Sequence, residues 1–224
     1  MEYLNLHSPI FFRHGWRKYL LATIALSLVM LSASSKAAAG SVAEALTSGK
    51  VYGDIRLRYE SVDQDNPLDD ATALTVRTRL GYSTGSYEGF SALVEFEDSR
   101  IVAGVDDFSV PPIGFNLGSS IIADPETTEI DQGYIQYKNS LVTARVGAQV
   151  IALDNQRFIG HVGWRQDRVT FDAVSATFTP TDKLKITAAH LFERNRIFGE
   201  VLDQESKDNI VNITYPTKIG KLNA

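Results

Sequence analysis

The chain has 224 residues, no cysteine and a formal net charge of −5. Without cysteine it carries neither a disulfide framework nor a lipid-modified N-terminal cysteine. Its acidic balance excludes the basic surface that neutralising nucleic-acid phosphates requires.

Residues 1–39 show the three-part pattern of a secretory signal peptide. Arg13, Arg17 and Lys18 precede an apolar run from Tyr19 to Leu31, and small residues follow up to Ala37, Ala38 and Ala39, a cleavage-type ending. The run is too short for a spanning helix, which needs about 20 apolar residues, and no later stretch approaches that length. A membrane location for residues 40–224 therefore means a β-barrel, and its alternative is a soluble secreted protein. Without the signal, 18 basic side chains stand against 26 acidic ones, a net charge near −8.

A short helical stretch, Ser41 to Thr47, is followed by eight segments that alternate in polarity, the period-two signature of strands. In Val51 to Glu60, Val51, Ile55, Leu57 and Tyr59 share one face; Asp54, Arg56, Arg58 and Glu60 share the other. The second segment sets Leu74, Val76, Leu80 and Tyr82 against Thr75, Arg77 and Arg79. The third sets Phe90, Ala92, Val94 and Phe96 against Ser91, Glu95 and Glu97. The fifth sets Val142, Ala144, Val146 and Ala148 against Thr143, Arg145 and Gln149. The fourth (Glu129 to Tyr137), sixth (Val169 to Phe178), seventh (Leu184 to Glu193) and eighth (Ile210 to Tyr215) alternate less cleanly.

The connections alternate in length. Ser83 to Gly89, Lys138 to Ser140, Thr179 to Lys183 and Pro216 to Gly220 are short; Ser61 to Thr72, Ser99 to Thr128, Ile151 to Arg168 and Arg194 to Asn209 are long. Outer-membrane barrels have this asymmetry, with short periplasmic turns and longer outer loops. A soluble sandwich also alternates apolar and polar residues, yet has no reason to keep its long loops on one edge. Tyr59, Tyr82, Tyr137 and Tyr215 stand at segment ends, where an aromatic girdle belongs. The expected fold class is all-β, an antiparallel transmembrane β-barrel, with residues 40–224 forming the N-terminal part of one domain.

Several stretches resemble a known family: EALTSGKVYGDIRLRYE from Glu44, ALTVRTRLGYSTGSYEGFSALVEFED from Ala73, IADPETTEIDQGYIQY from Ile122, LDNQRFIGHVGWRQ from Leu153 and RIFG from Arg196. They resemble the alginate-export-domain porins of Gram-negative outer membranes, which also look like relatives of the carboxylate-selective porins. The block with Asn155, Gln156, Arg157, Phe158, Trp164, Arg165 and Gln166 is its most specific part. The resemblance implies one barrel of 16 to 18 strands with loops folded inward, contacts with outer-membrane lipid and lipopolysaccharide, and no cofactor. Barrels of this kind finish on a strand with a terminal aromatic residue. This sequence ends at Ala224 after its eighth segment, so a fragment of a larger barrel is the expectation. The oligomeric state is left open.

The candidate site is the charged face. Arg56, Arg58, Arg77, Arg79 and Arg145 share it, and guanidinium forks suit anionic sugars or organic acids. Glu95 and Glu97 face the same side, so the competing reading is a set of ion pairs that brace the wall. In the Ile151 to Arg168 loop, Arg157, Arg165 and Arg168 accompany Phe158 and Trp164, a mixture that suits a sugar ring; the alternative is a loop pinned to the wall by Phe158 and Trp164. The acidic run from Asp63 to Asp70 has Leu68 and Leu74 where an EF-hand loop needs Gly and Glu, which leaves a solvated loop or weak divalent-cation contact with lipopolysaccharide. Enzyme signatures are thin: His161 and His190 are the only histidines after residue 39, and neither lies in a motif. The functional expectation is a passive channel for small hydrophilic solutes, anionic saccharides or carboxylates preferred. A structural or adhesive barrel, or an outer-membrane hydrolase, is the alternative.

Overall fold

A computed structural model describes residues 40–110, 114–217 and 220–223; the expected signal peptide, residues 1–39, lies outside them. The described chain begins with helix α1 (Val42–Thr47), started by Ser41, whose Oγ accepts the Glu44 amide at 3.2 Å. That bond satisfies one of the amides a helix start leaves free. The strands follow: β1 (Lys50–Val62), β2 (Ala71–Ser83), β3 (Phe90–Ile101), β4 (Ser109–Val110), β5 (Gly114–Phe115), β6 (Thr127–Lys138), β7 (Val142–Gln149), β8 (Thr170–Phe178), β9 (Lys185–Asn195), β10 (Gln204–Glu205), β11 (Asn209–Thr217) and β12 (Gly220–Asn223).

The main sheet is an antiparallel meander in the order β1-β2-β3-β6-β7-β8-β9-β11-β12, with β10 added on β9; β4 and β5 form a separate hairpin. The eight expected segments correspond to β1, β2, β3, β6, β7, β8, β9 and β11. Two corrections follow. The eighth segment is not the last, because β12 pairs with β11 from Thr214 opposite Asn223 to Thr217 opposite Gly220. The long connection from Ser99 to Thr128 is not plain loop: β4 and β5 lie within it, and Phe108, Val110 and Ile122 pack on Ala71 and Ala73 of β2.

Polarity is inverted relative to a soluble sheet. Leu57 is 65% exposed, and Val51, Ile55, Leu80, Phe96, Ile135, Val146, Val211 and Ile213 are exposed with it. Their opposite-face neighbours Thr75, Arg77, Arg79, Glu95, Glu97 and Gln149 are buried. No helix among the described residues is long and apolar enough to cross a membrane. The tight turns are chemically ordinary. Asn139 Oδ1 accepts the amides of Leu141 and Val142 at 2.9 and 2.8 Å between β6 and β7, an Asx turn that replaces backbone pairing.

Two local features set side-chain direction. Between β3 and β6 the register slips: Glu95 faces Gln132 and Phe96 faces Ile130, so Asp131 is an extra, bulged residue. It is buried on the charged side. At Gly147 the backbone takes φ +123°, where a Cβ would meet Gly133 O at 2.2 Å, so only glycine fits this crossing of β6 and β7.

Candidate functional site

The charged face of β1 to β3 is built by register. Arg56 lies directly opposite Arg77, and Asp54 opposite Arg79, while Arg79 lies opposite Glu97 on the other side. Like charges placed opposite each other destabilise a strand pair. Here the repulsion is offset by a loop, residues 150–169, which leaves β7 and lays its carbonyls over the arginines. Arg56 Nη1 donates to Gly163 O at 3.1 Å and Arg56 Nη2 to Arg165 O. Arg58 Nη1 donates to Trp164 O at 2.5 Å, and Arg77 and Arg79 both donate to Gln166 O at 3.4 Å.

Gln166 sits at the centre with 0% of its surface exposed. Its Oε1 accepts Arg56 Nε at 2.9 Å, and its Nε2 donates to Thr75 Oγ1 at 2.8 Å. Its amide donates to Asp124 Oδ1 at 2.9 Å. Asp124, from the connection between β5 and β6, also lies 3.5 Å from Arg58 and 3.6 Å from Arg165. Glu60 takes Arg58 at 2.5 Å and Arg165 at 2.9 Å.

Carboxylates complete the wall. Asp54 pairs with Arg77, and Glu97 with Arg79. Arg168, at the end of the loop, bridges Glu95 and Asp131, the latter at 2.5 Å. The carboxyl groups of Glu95 and Asp131 thus share one guanidinium, and Gln132 Nε2 donates to Glu95 Oε1 at 3.4 Å. Buried pairs of this kind contribute little net stability but cost several kcal/mol when one partner is lost.

The other side of the loop is apolar. Ile151, Val169, Phe171, Ala173, Ala189 and Leu191 form a buried cluster, with Leu153, Ile159 and Val162 packed on it. Asp154 Oδ2 accepts Asn212 Nδ2 of β11 at 2.8 Å. One amphipathic loop thus touches both the first strand of the sheet and the eighth in its order.

The expected site residues separate into two groups. Arg56, Arg58, Arg77, Arg79, Glu95, Glu97 and Arg165 meet in this one network. Arg145 stands apart on β7, donating to Gln136 Oε1 at 2.8 Å with its guanidinium 4.8 Å from the Tyr134 ring. Arg157 is exposed, 5.7 Å from the Phe158 ring. The expectation that Phe158 and Trp164 pin the loop is corrected. Phe158 is 85% and Trp164 59% exposed, and the pinning residues are Leu153, Ile159, Val162 and Gln166. Trp164 lies instead beside two cations, Arg165 at 4.0 Å and Arg58 at 4.9 Å, which stack on its ring.

Sequence reasoning missed Asp124, Asp131, Gln166 and Asp167 as members of the site. Alternation carried Asp54 and Glu60, and the broken alternation around Asp131 was the one local trace of its bulge. Nothing local marks Asp124. Among the described residues no group of three or more His, Asp or Glu side chains is disposed to hold a metal ion.

Three crystal structures are similar in fold. Pseudomonas aeruginosa OccD3 (OpdP) matches with a TM-score of 0.55 and 14% identity over 78% of this chain and 39% of its own. Acinetobacter baumannii OccAB3 matches with 0.60 and 15%, over 77% and 47%. Acinetobacter baumannii OccAB1 matches with 0.53 and 14%, over 76% and 41%. The chain thus spans less than half the length of each. The search of curated proteins found no match. The family model described as "Alginate export" matches residues 48–190, well over half of the sequence and all the strands that carry the arginine network, and the chain accordingly belongs to the alginate export family.

Proposed function

We propose that the protein is part of a Gram-negative outer-membrane β-barrel, with a parent of 16 to 18 strands, that passes small hydrophilic solutes by diffusion, preferring anionic saccharides or carboxylates. The observation that supports this most is the inverted sheet. A continuous exposed apolar face suits lipid, and a charged opposite face with a loop folded onto it suits a narrowed aqueous pathway. Residues 1–39 serve as its cleaved export signal, and no chemistry on the solute is involved.

The arginines divide the work. Arg77, Arg79 and Arg168 hold carboxylates and brace the wall. Among the described residues Arg56 and Arg145 have no carboxylate within ion-pair distance, and Arg157 is exposed, so these three supply the net positive field along the path. In a narrow, low-dielectric channel that field raises the local concentration of anions. Glu95, Glu97, Arg58, Arg165 and Trp164 shape the constriction at which it acts.

Reversal potentials in a planar bilayer test the reading. Arg56→Gln with Arg145→Gln should shift ion preference toward cations at low salt. The shift should fade as the Debye length falls from about 10 Å at 0.1 M to about 3 Å at 1 M. A protein that forms no channel, or whose preference ignores these substitutions, would contradict the reading.

A further inference from the structure

Asp167 is a loop carboxyl group to which the bracing network, among the described residues, brings no cation. It is fully buried, with its Oδ2 accepting the Gly199 amide at 3.3 Å and its Oδ1, among the described residues, without a hydrogen-bond partner. Around it stand carboxylates from two strands: Glu97 of β3, and Glu129 and Asp131 of β6. The guanidiniums nearby are committed elsewhere. Arg168 bridges Glu95 and Asp131, and Arg79 holds Glu97 with Asp131 at 3.5 Å. Among the described residues no Lys or Arg nitrogen lies within ion-pair distance of Asp167. The polar neighbour on the loop does not change this: His161 lies near the cations Arg168 and Arg79.

A docked loop therefore carries a carboxyl group into a buried position lined by other carboxyl groups. As the carboxylate it meets repulsion and loses its water; as the neutral acid it meets neither. Among the described residues no trio is arranged to hold a metal ion, and a proton on the carboxyl itself would neutralise it. We propose that Asp167 is a proton-operated latch: the 150–169 loop is docked over the arginine face while Asp167 is protonated and is released from it as Asp167 ionises.

Burial first, and then Glu129, Glu97 and Asp131, push the Asp167 carboxyl well above the ordinary range, against the opposing Gly199 amide. A group raised in the docked state stabilises docking fully below its free pKa, and that contribution is lost as pH rises through the docked value. Release thus comes with rising pH. It differs from simple acid unfolding, which runs in the opposite direction.

The chain lacks cysteine, so a single spin label at Phe158→Cys, on the exposed part of the loop, reports docking in the full chain. As pH rises above the ordinary carboxyl range the ratio of mobile to immobile label should rise by up to about tenfold per pH unit, the limit for one proton. Asp167→Asn should stay immobile as pH rises, and Asp167→Ser, a second uncharged variant, serves if the first does not fold. A parent whose label mobility is flat with pH overturns the latch, as does an uncharged variant that keeps the transition.

Discussion

Replacing Gln166 by leucine is the sharpest test of how the loop is held. The volume is nearly kept, but Arg56 Nε loses its 2.9 Å acceptor and Thr75 Oγ1 its 2.8 Å donor. A hydrogen bond to a charged group contributes about 1.5–3 kcal/mol and a neutral one about 0.5–1.5, so docking should weaken by about 2 to 4 kcal/mol. At about 1.4 kcal/mol per decade that is about a 30- to 1,000-fold rise in the opening constant. Hydrogen exchange reads it directly. The amides of Arg165, Gln166 and Val169 are bonded to Val162 O, Asp124 Oδ1 and His161 O at 3.0, 2.9 and 2.8 Å, and their protection should fall by that factor. Amides of the β7–β8 ladder should not change. If the loop amides of Gln166→Leu keep protection within about threefold of the parent, the apolar cluster and Arg168 hold the loop, and the central role given to Gln166 is wrong.

Cysteines at Leu57, Val76, Val94 and Val146 should react with a lipid-soluble probe, and cysteines at Arg56, Arg77, Glu95 and Arg145 should be sheltered from it; equal reaction on both faces would remove the membrane reading. Gly147→Ala should destabilise the sheet by about 1–3 kcal/mol from its positive φ alone, and further from the 2.2 Å approach to Gly133 O. Gly133→Ala, whose Cβ would meet Ile130 Cγ2 at an ordinary 3.6 Å, is the matched control. Thermal melts that fall equally for both would show that the strained crossing is not what requires glycine.

How far the architecture was legible follows the alternation. β1, β2, β3 and β7 alternate an apolar with a polar face over their middle stretches, so their sides could be assigned from the sequence. β8 and β9 could not, because Phe171, Ala173, Ala189 and Leu191 make the loop-covered face apolar too. An apolar residue on both faces carries no period-two signal. In β6 the bulge at Asp131 moves the inward positions from odd to even numbers, from Glu129 to Gln132, so a pattern read straight through fails at its midpoint. The charged face was visible for the same reason the strands were. Its partners were not: Asp124 and Asp167 belong to irregular segments, and only folding brings Asp124 to Arg58 and Arg165 and Asp167 to carboxylates of β3 and β6. The same holds for the exposed aromatics. Phe158 and Trp164 look like anchors by composition, but Ile159 and Val162 take the apolar contacts.

The bond between Gln166 and Arg56 joins residues 110 positions apart, and that between Asp154 and Asn212 joins residues 58 apart in the other direction. Contacts of such separation form only after the loop-closure entropy of everything between them has been overcome. In the order of assembly, the loop is then a late piece: it can settle fully only once β1 and β2, made before it, and β11, made after it, are both in place. Until then the facing pair Arg56 and Arg77 stays hydrated and mutually repelled, and their strands lack the carbonyls that quiet them. The last-made strand with a hold on the loop therefore helps to seal the first-made strands, and maturation of the arginine face should lag behind formation of the sheet that carries it.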